Sequence, residues 1–442
     1  MNVIKKILVI GYVWPEPRSS AAGSRMLMLL RLLRAQQWQV VFASAAALSV
    51  HRADLKELEI EEKPIELNAA SFDQFVQAYQ PDVVLFDRFF TEEQFGWRVE
   101  QNCPQAIRVL ETVDLHCLRE ARHRLLKQAQ ASCQDAQRRQ NVDAVSADGA
   151  QLFASMAEDE TAQREIAAIY RCDLSLMMSH VEIDLLQQYF SVPSALLLHS
   201  DALAISAPAT RPAFAARQDF LSIGNFRHAP NWDAVLWLQQ VIWPLIHRAL
   251  PQARLLIAGA YPPPKAQALH HPRSGLHVIG WVDDALTTMA QARVCLAPLR
   301  FGAGIKGKLV DAMACGTPSV TTSIGAESMA DDLPWGGVVA QSAAQIADAA
   351  IQLYQDQAAW QQAQQRGDQI FTQHWQAPAN ARQLITRLQQ LHDNLPAHRR
   401  HNFTGAMLRH HHHQSTYYFS RWIEEKNRRV SDPQNGASIL IK

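Results

Sequence analysis

The stretch with the most chemistry in it is Arg300-Phe-Gly-Ala-Gly-Ile-Lys-Gly-Lys-Leu-Val-Asp-Ala-Met-Ala-Cys-Gly-Thr-Pro318. Gly302, Gly304 and Gly307 let the backbone approach a ligand closely, and the helix-forming run behind them leaves its first amides unpaired. Amides at a helix start attract anions, and Lys306 and Lys308 add two full charges beside them. A diphosphate suits such a place, with each charged hydrogen bond contributing about 1.5–3 kcal/mol. Asp311 lies five residues beyond Lys306, about 140° further round a helix of 3.6 residues per turn. Facing the same cleft, its carboxylate would accept from the two hydroxyls of a ribose; the spacing leaves its direction open. The competing reading is a lysine-flanked loop before an ordinary packing helix.

A loop of this kind needs a strand before it and a helix after it, and that alternation runs through most of the chain. Apolar runs at 7–12, 39–43, 83–86, 107–111, 174–178 and 194–199 read as buried strands, with helical spacing at 24–36, 72–79 and 183–189. After an Ala- and Pro-rich stretch with Pro208 and Pro212, a second series follows. Its strands fall at 220–223, 253–258, 276–279, 294–298 and 319–321, and its helices at 234–246, 286–292 and 306–314. The class is α/β with parallel sheets: a first domain over 1–200, a linker over 201–217, a second domain over 218–385 and a helical, His/Arg-rich tail over 386–442. Two doubly wound halves leave a cleft between the carboxyl ends of their strands, where ligands bind in such folds. The polar segment 119–141 reads as a solvated helix or as an excursion from the first domain.

Composition narrows the rest. At about 150 residues per domain, 442 residues make two or three domains. Lys+Arg and Asp+Glu both number 42, so no basic field exists to hold nucleic acid. The six cysteines show no CxxC pair, which suits reduced thiols in the cytoplasm. No apolar run approaches the roughly 18 residues of a membrane span: Gln239, Gln240, Pro244, His247 and Arg248 interrupt the longest. Peripheral contact with the inner face of the cell membrane stays open, because the tail carries Arg409, Tyr417, Tyr418, Phe419 and Trp422. Four adjacent histidines, His410 to His413, diverge on a helix and cannot close one metal site. After the first strand only Gly11 and then Gly23 occur, without the glycine pattern of a nicotinamide site.

The segments Gly280-Trp-Val-Asp-Asp284, Ala297-Pro298, Gly304 and Asp311-Ala-Met-Ala-Cys-Gly-Thr-Pro318, with Ser319 and Val320, resemble the donor-binding half of the family-four retaining glycosyltransferases, glycosyl transferases group 1. So does the opening Ile7-Leu-Val-Ile-Gly-Tyr12 with Pro15, Ala22-Gly23 and the helix from Ser24. The resemblance runs from residue 7 to about residue 374 and is densest over 220–325. It implies the GT-B fold, with two Rossmann-like domains: an acceptor-side N-terminal domain and a donor-binding C-terminal one. It further implies transfer of a sugar from a nucleoside diphosphate sugar to an acceptor hydroxyl, on a growing glycan, a polysaccharide or a lipid-linked sugar. Configuration is retained, and neither metal nor other cofactor is required. A scaffold that has lost catalysis and a sugar-nucleotide epimerase are the alternatives on the same fold, and oligomeric state is left unset.

The family's E-x7-E signature falls on Ala303 and Asp311, in a G-x-G-x-K-x-K variant of the loop. The donor contacts the resemblance implies are Gly23, Asn225, Arg227, Val282, Gly304, Ile305, Lys306, Lys308 and Asp311, with His116 and Asp311 in the catalytic roles. Asn225 stands where the family has Arg, and Pro230 or Asn231 where it has Lys, so the phosphate charge falls to Arg227 and His228 or to Lys306 and Lys308. His116 is implied as a contact to the donor sugar, with Asp114 as its neighbour. In family enzymes the leaving phosphate is thought to help deprotonate the acceptor, so no protein nucleophile is needed. The tail is expected to pack on the first domain, as GT-B terminal helices do, or to touch an anionic membrane.

Overall fold

A computed structural model describes residues 4–133, 135, 139–200, 207–208, 210–376 and 381–431. The first sheet is built from β1 (Lys6–Gly11), β2 (Gln39–Ser44), β3 (Glu61–Pro64), β4 (Val83–Asp87), β5 (Ile107–Glu111), β6 (Leu174–Met177) and β7 (Leu197–His199). All its pairings are parallel, in the order β3-β2-β1-β4-β5-β6-β7. The second comprises β8 (Gln218–Ile223), β9 (Leu255–Ala258), β10 (Leu276–Gly280), β11 (Ala292–Ala297), β12 (Ser319–Thr321) and β13 (Gly337–Val339), also parallel, in the order β10-β9-β8-β11-β12-β13. Strands β4, β5 and β6 are buried at every position. That is why they are legible as unbroken apolar runs, since crossover helices cover both faces of a parallel sheet.

Two edge strands escape the sequence pattern. β3 is Glu-Glu-Lys-Pro, held by its ladder to β2 and by Glu62 pairing with Arg52, and β13 has three residues. An edge strand needs one partner and no apolar face, so polar residues and a terminal proline are tolerated there.

The helices that matter for the site are α1 (Ala21–Arg34), α2 (Phe89–Asn102), α3 (His116–Ala131), α4 (Glu160–Arg171), α5 (His180–Phe190), α6 (Ala229–Trp237) and α7 (Gly307–Ala314). The polar segment read over 119–141 is corrected on two points: its helix starts at His116, and it is not solvated all round. Cys117, Leu118, Ala121, Arg122 and Leu126 are buried. Of the stretch read as a linker, 201–206 and 209 lie outside the described residues.

The tail forms α8 (Ala381–His401), bent where Asn394 leaves helical geometry just before Pro396, and α9 (Phe403–Ser431). Leu384, Leu388, Leu391 and Leu395 recur at helical spacing and are buried with Ile7, Val9, Leu29 and Val109 of the first domain. Arg98 of α2 donates to Ser420 Oγ at 2.9 Å and to Glu424 at 2.7 Å, fastening α9 to the same domain. The chain therefore returns from the second domain to close on the first. The side chains of His411 and His413 lie outside the described residues. No helix among the described residues is long and apolar enough to cross a membrane.

Because Leu388 is 2% exposed, Leu388→Ala should leave a cavity against β1 and cost about 2–5 kcal/mol in urea unfolding. A change under 0.5 kcal/mol would mean that α8 only rests on the surface.

Candidate active site

The carboxyl ends of β5 and β11 face each other across the cleft, and each carries a turn fixed by its own chemistry. Beyond β5, Val113 adopts φ +66°, an unusual conformation for a β-branched residue. Neighbouring groups hold it there: Val113 donates to Glu111 Oε1 at 3.3 Å, Leu115 to Glu182 Oε1 at 3.0 Å, and His116 and Cys117 to the two oxygens of Glu165 at 3.1 and 2.8 Å. Glu111 is itself buried in a bidentate pair with Arg25 of α1. The turn thus points Asp114 and His116 into the cleft.

Opposite stands the glycine-rich loop after β11. Gly304 has φ +63°, and a Cβ there would lie 2.8 Å from Asp114 Cβ, so both its conformation and its closeness to the first domain demand glycine. At Gly307, which opens α7, a Cβ would come within 2.7 Å of Ala21 Cβ, at the start of α1. Two helix N-termini therefore converge on one point, the arrangement that concentrates positive potential. Lys306 Nζ donates to Gly304 O at 2.6 Å and Lys308 Nζ to Asn231 Oδ1 at 2.7 Å. Neither lysine makes an ion pair with a described residue. Burial lowers both from the usual range, Lys308 to about 8, while Glu327 partly opposes the effect at Lys306.

Asp311 shares a helix face with Lys308. Its carboxylate has no hydrogen-bond partner among the described residues, and burial raises its pKa to about 7 against the pull of Lys308. Burial also lowers His116 to about 4, although Asp114 Oδ1 lies 3.6 Å from its Nε2, so the imidazole is neutral at pH 7. At Asp114 burial works to raise the pKa, but the Arg119 guanidinium in contact with it, with His116 and His228 nearby, outweighs that and holds the group well below the carboxylate range. His228 lies at the cleft mouth with part of its surface in water. Desolvation by the walls on either side lowers it to about 4 despite Asp114.

The remaining residues singled out in the sequence divide between the loop and the mouth. Ile305 is half-buried beside Met313 and Leu309, and Val282 packs by Leu221 and Ala290. Asn225 reaches Ser19 O at 3.4 Å across the cleft, and the Arg227 guanidinium lies 3.7 Å from the centre of the Tyr261 ring. The amide of Gly23 donates to Ser20 Oγ at 3.1 Å, capping the start of its own helix.

Contacts that sequence reasoning missed close the cleft. Arg122 donates to Gly302 O at 2.8 Å and to both oxygens of Glu327 at 2.9 and 2.6 Å. Tyr261 Oη donates to Glu16 at 2.9 Å, and His51 stacks on Trp281 at 4.1 Å. Glu182 binds the Gly304 amide at 2.8 Å. These side chains stand on helix faces and loops far apart in sequence, and no local spacing marks them.

Comparison with known proteins now bears on this geometry. Residues 217–356 match the family model of glycosyl transferases group 1. The chain has the GT-B fold. Anabaena HepE in complex with UDP and glucose superimposes with TM-score 0.59 at 13% identity, over 89% of this chain and 100% of that one. Sucrose-phosphate synthase from Thermosynechococcus elongatus gives 0.59 at 16%, over 88% and 99%, and a glycosyltransferase from Rickettsia africae gives 0.60 at 9%, over 88% and 98%. At these identities the likeness establishes the fold. No curated protein matches the sequence. The matched segment, 217–356, contains the lysine loop and α7.

Asp311 also sets a pH dependence. Its folded pKa, about 7, lies above the unfolded value near 3.8, so the folded state binds its proton more tightly and stability falls as pH rises between them. In Asp311→Asn that loss is absent. The drop in unfolding free energy from pH 5 to pH 8 should shrink by about 1–2 kcal/mol in denaturant titrations. An unchanged drop would place Asp311 in water.

Proposed function

We propose that the protein transfers a sugar from a nucleoside diphosphate sugar to a hydroxyl of a glycan or lipid-linked acceptor, with retention of configuration. The observation that carries this reading is the pair of lysines, Lys306 and Lys308, placed where two helix N-termini meet and bonded only to neutral oxygens. Such a site holds positive potential ready for a diphosphate and strengthens its hold as charge builds on the departing phosphate. Asp311, without a partner on the helix face beside Lys308, would accept from the ribose hydroxyls. The neutral imidazole of His116 would donate to, or accept from, the sugar. No side chain need attack the anomeric carbon: the leaving phosphate would accept the acceptor's proton, and closure of the two domains would exclude water. No step in this scheme calls for a metal ion.

Lys306→Ala and Lys308→Ala should each weaken binding of the nucleoside diphosphate by at least about 1.5 kcal/mol and leave the free nucleoside unaffected. Lys308 is protonated below about 8, and a bound anion raises that value. Affinity of the wild type should therefore fall as pH climbs from 8 to 9.5, and the fall should be smaller in Lys308→Ala. Calorimetric titration measures both. Equal losses for nucleoside and diphosphate would point to a disturbed fold instead.

His116→Ala should reduce transfer or donor hydrolysis at least tenfold while diphosphate binding changes less than twofold. Full activity in this variant would remove His116 from the site.

A further inference from the structure

Glu182 is an acid with an unused oxygen at the centre of the molecule. It stands in the first turn of α5, where its amide donates to Ser179 Oγ at 3.4 Å, and its side chain is fully buried. Oε1 accepts the Leu115 amide from the first domain at 3.0 Å and the Gly304 amide from the second at 2.8 Å. Oε2 has no hydrogen-bond partner among the described residues and no contact with solvent. Buried polar atoms almost always have a partner, and an exception at the junction of two domains points to a group that arrives from outside.

The surroundings identify that group. Gly304 offers its N–H to Glu182 while its carbonyl accepts from Lys306, so acid and ammonium flank one peptide. Burial, and after it the negative charges of Asp114 and Glu327, push the Glu182 carboxyl well above the carboxylate range, so that it keeps its proton at neutral pH. A second anion is unfavourable there, which directs the diphosphate to the Lys308 and α7 end. A hydroxyl carries no charge and can accept from the protonated carboxyl at Oε2, since Oε1 already takes two amides, and it can also accept from an amide or ammonium beside it.

We propose that Glu182 reads the sugar of the donor: Oε1 ties the β5 turn to the glycine-rich loop, and Oε2 hydrogen-bonds a sugar hydroxyl. This rests on the transfer reading above and adds a first-domain residue to donor recognition. It also divides the cleft into a lysine end for phosphate and an acid-lined end for the polyol.

The test compares full-length wild type, Glu182→Gln and Glu182→Ala, each verified as folded by its melting curve, titrated with UDP, UDP-glucose, GDP and GDP-mannose. The readout is the ratio of affinities for the sugar nucleotide and its diphosphate. For the pair the wild type binds best, that ratio should fall at least tenfold in the alanine variant and at least threefold in the glutamine variant, whose shape is retained. In the glutamine variant, which keeps Oε1 and so the strap, diphosphate affinity should stay within twofold. An unchanged ratio in either folded variant overturns the assignment. That holds if both ligands lose equally, as for a purely structural strap, and if both gain, as for an acid that blocks the Gly304 amide. A wild type that binds the diphosphates yet gains nothing from the sugar also overturns it while leaving the phosphate site intact. A wild type that binds none of the four overturns the transfer reading and this assignment with it.

Discussion

Two ammonium groups withdrawn from water without an acid in contact are the condition on which the rest of the architecture depends. Lys306 and Lys308 are held by a carbonyl and an amide oxygen, and burial draws both below the usual lysine range. A cation desolvated in this way is costly unless something negative completes it. The first turns of α1 and α7 add to the imbalance, since both present positive ends to the same point. The fold tolerates this because the helices and the seven- and six-stranded sheets behind them are anchored in separate apolar cores. The local cost is set against packing elsewhere.

Opposite the lysines the order of construction is reversed: acids are placed first, and backbone is arranged on them. Glu165 and Glu182 take the amides at the start of α3, and Glu111 takes that of Val113, so three carboxylates from three different elements hold one strained turn. The strain keeps Asp114 and His116 at the strand end and not in the helix body. Behind this turn α8 packs its leucines on the far side of the same sheet. The last helices of the chain therefore stiffen the wall that faces the second domain, although they enter the cleft nowhere among the described residues.

Hydrogen bonds carry much of the domain closure, beside apolar contacts made by Met178 and Ala303. Arg122 with Glu327 and Gly302, Tyr261 with Glu16, and Glu182 with Gly304 all cross from one half to the other through hydrogen bonds. Such bonds exchange readily for water or ligand, whereas an apolar seam would resist opening. Under the proposed function, a cleft that admits a nucleotide sugar and then excludes solvent is well served by contacts of this kind.

Much of this was legible in the sequence for a definite reason. Parallel strands are buried on both faces, so β1, β4, β5, β6 and β11 appear as apolar runs, and the glycine and lysine spacing of residues 302–308 marks in one dimension the loop proposed to hold the diphosphate. The edges β3 and β13 were hidden because an edge strand needs hydrogen bonds and no side-chain pattern. His116 was legible as a residue, but its position in the first turn of a helix was not, since that start is created by Glu165 about fifty residues away. Glu182, Arg122 and Glu327 look like ordinary helix and loop charges in one dimension, and their roles exist only where two domains meet. Local sequence fixes periodicity and turn chemistry because both act over a few residues. The pairing of buried charges acts over a few ångströms, and only the folded chain decides which residues those ångströms join.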